Sequence, residues 1–150
     1  MFTATIRWTN ADNDFTKNRY SRAHTWTFDG GASVPASSSP DIVPVPMSDA
    51  SAVDPEEAFV ASLSSCHMLC FLSVAAKAGF VVREYVDKAF GEMQRNDAGK
   101  RFIAMVTLRP TVIWAAENKP TSDQISQMHH DAHEECFIAN SAITDIRIQT

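Results

Sequence analysis

The sequence predicts an α+β domain with an antiparallel or mixed sheet packed on one long central helix. Three observations carry that prediction. The stretch from Asp54 to Gly79 is an apolar run of helical length with start and stop signals at its ends. Runs with β-branched and aromatic residues lie before and after it, and a second helical period follows near the carboxyl end.

Taken in order, Phe2 to Thr9 alternates β-branched and aromatic residues and reads as a strand, and Asn10 to Asp14 (NADND) supplies turn chemistry. Arg19 to Phe28 alternates again. Tyr20, Arg22, His24, Trp26 and Phe28 would share one face, which puts an arginine among aromatic side chains. A solvated edge arginine is the plainer alternative. Gly30 to Val53 is rich in Pro, Ser, Ala and Gly without sustained periodicity, and reads as a long ordered loop that covers the helix after it.

Asp54 can cap the first helical turn, Pro55 suits the first helical position, and Glu56 and Glu57 place negative charge at the positive helix end. Lys77 and Gly79 mark the stop. About 24 residues then span roughly 36 Å. From Ala58 to Ala76 there is no Asp, Glu, Lys or Arg, so the helix must be surrounded by protein or by lipid. Ser62, Ser64, Ser65, His67 and Ser73 argue for the central helix of a soluble domain or dimer rather than a membrane span.

Val81 to Gln94 and Arg101 to Trp114, joined by a turn at Asn96 to Lys100, read as a hairpin, with Pro110 at a bulge or edge. Thr121 and Gln124 form a capping box for a second helix from Ser122 to Ala139, in which Ile125, Met128, His129, Ala132 and Cys136 recur at helical spacing. Thr144 to Thr150 closes the chain as a short strand.

One hundred and fifty residues suffice for one domain, 1–150, and no composition shift asks for two. The net charge of -5 offers no basic field to a phosphate backbone, so nucleic acid is excluded as a partner and small molecules or proteins are favoured. The amino terminus lacks the basic start and apolar core of a signal peptide, which points to the cytoplasm. Cys66, Cys70 and Cys136 are too few for a secreted disulfide framework and read as core, metal or redox residues.

Cys66 lies mid-helix among Ala61, Ser62 and Ser65, small residues that leave room for a ligand at the sulfur. Cys70, one turn on, reads as core packing, and a Cys66–Cys70 bridge within a continuous helix would be strained. His67 reads as a hydrogen-bonded histidine rather than a catalytic one. Cys136 stands in a polar context, AHEECFIANS. A metal reading stays open, because His129, His133 and Cys136 fall on one face of the second helix and Cys66, Cys70 or His67 could complete a tetrahedral set. A cysteine–histidine hydrolase has no local signature here.

These residues resemble a known family, the OsmC and Ohr proteins, which are osmotically inducible and organic hydroperoxide resistance thiol peroxidases. The family's central helix opens with Asn-Pro-Glu-Glu or Asn-Pro-Glu-Gln and carries the peroxidatic cysteine ten residues after the first glutamate, as Glu56 and Cys66 stand here. Its second cysteine lies in an Ala-His-X-X-Cys-Pro-X-Ser-Asn-like stretch, which Ala132, His133, Cys136, Ala139 and Asn140 resemble. Asp54 stands for the usual Asn, Phe137 for the usual Pro, and Cys70 is an extra thiol. The order of elements is similar over nearly the whole chain.

The resemblance implies an OsmC-like fold in an intertwined homodimer, with the 30–53 segment in the embrace. It implies that Cys66 attacks an organic hydroperoxide, becomes a sulfenic acid and condenses with Cys136 to a disulfide. An arginine held by Glu56 would support the thiolate, with Arg22 and Arg19 as candidates and Arg22 preferred for its place among Tyr20, His24 and Trp26. The aromatic residues of that face would favour organic hydroperoxides. The reductant would be a lipoylated or thioredoxin-like dithiol protein, with no metal or organic cofactor. A binding or structural protein of the same fold, with cysteines that do not turn over, is the alternative from another class.

Overall fold

The computed structural model describes residues 1–11 and 14–150, so Asp12 and Asn13 of the expected NADND turn lie outside the described residues. The chain divides into two compact units, Met1–Ala58 and Phe59–Thr150.

In the first unit, β1 (Ala4–Arg7), β2 (His24–Phe28) and β3 (Ser33–Ala36) form an antiparallel sheet in the order β1-β2-β3. Ile6 lies opposite Trp26, which lies opposite Val34. The strand expected from Arg19 starts only at His24. Before it the chain is bound to other segments: the Arg19 N–H donates to the Asp14 carbonyl at 3.2 Å and the Arg22 N–H to Met47 at 2.8 Å. Arg22 therefore does not take its place by strand alternation. The segment expected to be wholly loop contains β3, which Pro35 obscures in the sequence. An edge strand tolerates proline because its outer side has no ladder to complete. Here the Pro35 carbonyl accepts Val53 N–H at 3.1 Å and the Ser37 N–H donates to Val53 at 3.0 Å, a bridge that delivers the chain to Asp54.

The central helix α1 (Pro55–Lys77) starts as its signals predict. Asp54 Oδ1 accepts the Glu57 N–H at 2.7 Å, and Glu57 Oε2 accepts the Asp54 N–H at 3.3 Å, a reciprocal capping box. At the other end Gly79 adopts φ +81°, where a side chain would be strained, and Phe80 N–H closes on the Ala75 carbonyl at 3.0 Å.

In the second unit the expected hairpin is present but split. Its first run gives β4 (Val82–Asp87) and β5 (Phe90–Arg95), and its second gives β6 (Arg101–Leu108) and β7 (Pro110–Trp114). β4 pairs with β7, and β5 pairs with β6, in separate sheets. Asp87 marks the break: its Oδ1 accepts the Arg109 N–H at 2.6 Å and its Oδ2 accepts the Ser64 hydroxyl at 2.5 Å. Pro110 opens β7 opposite Asp87, a strand-start position that asks no N–H of it. The last strand, β8 (Asp145–Ile148), runs parallel to β6 and makes that sheet mixed.

The second helix, α2 (Ser122–Glu134), has the Thr121–Gln124 capping box but ends before the expected Ala139. The Asn140 side chain donates to the Glu134 carbonyl at 3.0 Å and Cys136 N–H turns back to His133 at 3.1 Å, so the chain leaves the helix in a tight turn. A short 3-10 turn, Ala139–Ser141, follows.

Leu63, His67, Phe71 and Ala75 form the buried stripe of α1, at a spacing of one turn. Leu63 packs with Val106 and Leu108, and Phe71 and Ala75 pack with Met128 and Ala132 of α2. Gly91 of β5 lets the sheet approach α1 closely, since a Cβ there would stand 2.9 Å from a Val60 methyl. By length and composition alone α1 could cross a bilayer, but this stripe carries a polar side chain bonded to another element. His67 Nε2 and His129 Nδ1 are 3.0 Å apart, and Phe71 stacks on His129 with ring centroids 4.1 Å apart. The expectation of an apolar helix enclosed on every side is met only in part, because Ala61, Ser65, Leu69 and Ser73 are exposed along the opposite face.

Burial, with the neighbouring His133 charge, lowers His67 to about 4 against a small opposing pull from Asp87, and burial and His67 lower His129 to about 4. Both rings are therefore neutral in the fold at pH 7. In the unfolded chain they titrate near 6.5. As pH falls from about 6.5 to about 4 the unfolded chain takes up protons that the folded chain refuses, so stability present at neutral pH is lost across that window. Urea unfolding should show a loss of about 5 kcal/mol between pH 7 and 4.5 in the parent. A His67→Leu/His129→Leu protein should show a flatter profile; equal slopes for the two proteins would refute this origin.

Candidate active site

Cys66 is placed midway along α1, half-buried, on the face it shares with Ser62 and Cys70. A mid-helix sulfur gains nothing from the N–H groups of its own helix, which are committed to carbonyls four residues back. Its polar partners come from the turn after α2. The hydrogen bonds that end α2, joined by Asn140 N–H to the Cys136 carbonyl at 3.0 Å and the Ser141 hydroxyl to the Phe137 carbonyl at 2.8 Å, fold residues 135–141 tightly. This turn brings the Cys136 thiol and the N–H groups of Phe137 and Ile138 to the Cys66 sulfur. Cys136 is therefore not the seventh position of a helix face, as expected, but a residue beyond the helix end, and it is 1% exposed.

Burial pushes the Cys66 thiol up, but the Ile138 N–H, the Cys136 thiol, the Phe137 N–H and the Cys70 thiol outweigh it and hold it below the usual thiol range. The other two cysteines move the opposite way. Burial and the bond to Cys66 push Cys136 up to about 11, while burial and the Cys66 charge raise Cys70. Three neighbouring thiols thus have unlike acidities, and Cys66 is the most acidic of them. All three are free thiols.

Cys70 packs at the margin of the Phe71, Ala75, Met128 and Ala132 cluster, in keeping with the core packing expected from the sequence, and its thiol also reaches the surface. It is half-buried, donates to the Glu135 carbonyl at 3.6 Å, and lines an open groove with Leu69, Ser73, Glu134, Phe137 and Asn140. His67 faces away from the sulfurs into its pair with His129, in keeping with a hydrogen-bonded histidine. That pair also takes His129 out of the expected metal face of α2. Among the described residues no group of three or more His, Cys, Asp and Glu side chains is arranged to hold a metal ion.

Glu56, Arg19 and Arg22 lie in the first unit. Glu56 occupies the first turn of α1. The Arg22 guanidinium donates to Asn18 Oδ1 at 2.7 Å and to the Tyr20 carbonyl, and lies over the Tyr20 ring at 3.7 Å. Tyr20 in turn packs with Trp8 and Phe15. Among the described residues the ion pairs are Lys17–Asp14 and Arg147–Asp145, so neither Arg19 nor Arg22 is joined to Glu56. The groups that residue-by-residue reading of the sequence missed are the main-chain N–H groups at 137 and 138. Side-chain identity carries no signal of where an N–H points.

The site can be set beside known proteins. No curated protein matches the chain. Among solved structures, an OsmC-like protein of unknown function from Vibrio cholerae is 52% identical, with 99% of this chain and 97% of that chain covered and a TM-score of 0.96. An organic hydroperoxide resistance protein from Elizabethkingia anophelis is 16% identical over 99% of this chain and 91% of its own, with a TM-score of 0.72. The organic hydroperoxide resistance protein OhrB of Bacillus subtilis is 17% identical over 99% and 96%, with a TM-score of 0.67. At those identities the two likenesses concern the fold. The family model for OsmC-like proteins matches residues 48–150, which contain the whole of α1 and both Cys66 and Cys136, and the chain belongs to that family.

Proposed function

We propose that the protein is a thiol-dependent peroxidase that reduces organic hydroperoxides and protects against oxidative stress. The observation that carries this reading is the contact of an acidified Cys66 sulfur with a second, buried thiol at Cys136. An ionised thiol attacks peroxide oxygen, and a neighbouring thiol captures the sulfenic acid before it oxidises further. Membership of the OsmC-like family, and the fold shared with organic hydroperoxide resistance proteins, support the same reading.

In the proposed cycle the Cys66 thiolate attacks the terminal oxygen of ROOH. The O–O bond breaks, the alkoxide takes up a proton and leaves as ROH, and Cys66 becomes a sulfenic acid. The Cys136 thiol then attacks that sulfur and water leaves, giving the Cys66–Cys136 disulfide. An external dithiol, lipoylated or thioredoxin-like, restores both thiols by exchange and is itself oxidised to a disulfide. No metal or organic cofactor takes part. Arg22 is the cation we assign to the thiolate, with Glu56 as its anchor and Arg19 as the alternative. We assign the reaction to a reducing cytoplasm, where three free cysteines persist.

A homodimer is part of the proposal. The exposed stripe Ala61, Ser65, Leu69 and Ser73, with Leu69 61% exposed, is a helix face without charge that a second copy would cover. Sedimentation should give twice the 16.5 kDa chain mass; a monomer at micromolar concentration would remove this part.

One equivalent of cumene hydroperoxide should produce a Cys66–Cys136 crosslink in peptide maps, and Cys66→Ser should consume no hydroperoxide with a dithiol present. A Cys66→Ser protein as active as the parent would sink the proposal. Arg22→Ala should slow the peroxide step by about 10- to 100-fold, the value of one charge-assisted hydrogen bond, while Arg19→Ala leaves it near the parent rate. The reverse order would move the role to Arg19.

A further inference from the structure

Arg22 is fixed along its whole length. Its main-chain N–H donates to the Met47 carbonyl at 2.8 Å, and its own carbonyl accepts from His24 Nδ1 at 2.7 Å. The Trp26 indole, which can only donate, gives its Nε1–H to His24 Nε2 at 2.8 Å, so Nε2 is the acceptor of that ring and Nδ1 its donor toward Arg22. The freedom that remains is in the side chain. There Nη2 donates to Asn18 Oδ1 at 2.7 Å, both Nη atoms reach the Asn18 carbonyl at 3.3 Å, and Nη1 donates to the Tyr20 carbonyl while Cζ lies over the Tyr20 ring.

All of these partners are uncharged. The usual partner of a fixed guanidinium is a carboxylate. Here the nearby carboxylate is taken, because Asp14 binds Lys17 Nζ at 2.9 Å, and among the described residues no carboxylate pairs with Arg22. Asn18 is suited to hold it by its backbone as well. It stands at φ +60°, a left-handed conformation that Asn, Asp and Gly tolerate, with its N–H on the Phe15 carbonyl at 2.9 Å. We propose that Asn18 is the positioning residue of Arg22: its amide oxygen fixes the guanidinium and leaves the positive charge uncancelled for the Cys66 thiolate. An aspartate would hold the same group and neutralise it, since a guanidinium keeps its proton in proteins. This role deepens the thiol-peroxidase reading and rests on its assignment of Arg22 to that thiolate.

Asn18→Gly and Asn18→Asp separate holding from charge, since both residues accept the left-handed backbone. Holding is read in ¹⁵N spectra of the full chain, as exchange between the two Nη resonances of Arg22 by rotation about Cζ–Nε. That exchange should be slow in the parent and in Asn18→Asp, and about 10-fold faster in Asn18→Gly, which has lost one hydrogen bond to a charged group. Charge is read by the pH midpoint of Cys66 alkylation with iodoacetamide, followed by peptide mass mapping, which needs no peroxide. The midpoint should rise by about one pH unit in Arg22→Ala and in Asn18→Asp, with the urea midpoint of Asn18→Asp no lower than the parent's. An asparagine with only a structural role would let the aspartate keep the bond and leave Cys66 unchanged.

Equal Nη exchange in Asn18→Gly and the parent would overturn the proposal. So would a parent-like Cys66 midpoint in Asn18→Asp beside a raised one in Arg22→Ala. Should Asn18→Gly not fold, the parent answers in its place, and exchange as fast at Arg22 as at Arg19 would overturn the proposal. A parent-like midpoint in Arg22→Ala would refute the assignment of Arg22 to the thiolate and the charge role of Asn18 with it, while the Nη exchange still decides the holding. Raised midpoints in a protein that consumes no hydroperoxide would instead refute the peroxidase reading and leave Asn18 in its role beside Arg22.

Discussion

The second unit depends on the one-turn stripe of α1, Leu63, His67, Phe71 and Ala75, and on what it packs against. Side chains four apart stack along one side of a helix, so a single stripe engages two clusters, one with the β6 residues Val106 and Leu108 and one with α2. Burial of large side chains supplies most of the driving force. The exception is His67, which is nearly without exposure and keeps one nitrogen on His129. That bond ties α1 to α2 at a fixed rotation about the helix axes, something apolar contact does not do as specifically.

Fixing α1 against α2 also fixes the sulfurs. Cys66 is the neighbour of His67, so when His67 faces inward to α2 the cysteine is turned about a quarter of the helix circumference away, toward the turn that follows α2. The same turn, closed by the Asn140 side chain on the Glu134 carbonyl, then presents Cys136 and two main-chain N–H groups to it. The redox chemistry proposed for the protein is in this sense a by-product of how two helices are locked together. The acidity order follows from it: main-chain donors serve both sulfurs, but they outweigh burial at half-open Cys66, whereas burial and the Cys66 thiol outweigh them at enclosed Cys136.

Much of this was legible in the chain. The caps of both helices, Asp54 with Glu57 and Thr121 with Gln124, are local interactions, and local interactions are written in short sequence spacings. Strand β3 was hidden because Pro35 and its serine-rich surroundings mask a four-residue edge strand. The split of the long hairpin was hidden because it depends on Asp87 reaching Arg109 N–H and Ser64, both distant in sequence. Helix α2 was read too long because Cys136 continues the apolar period while Asn140 ends the helix from outside it. Arg22 was placed by alternation on a strand that begins two residues after it.

The sequence by itself determined the fold class, both ends of α1, the start of α2, and which three cysteines were available for chemistry. The motifs around Glu56, Cys66 and Cys136 also pointed to the family. Only the tertiary structure decided which thiol is acidic, that Cys70 lines a groove, that His67 and His129 are a buried neutral pair, and that the N–H groups of Phe137 and Ile138 face the Cys66 sulfur. The physical reason is that acidity depends on the donors, charges and solvent around a group. Those neighbours come from elements about seventy residues apart in the sequence, and the decisive donors belong to the main chain, which is the same at every position.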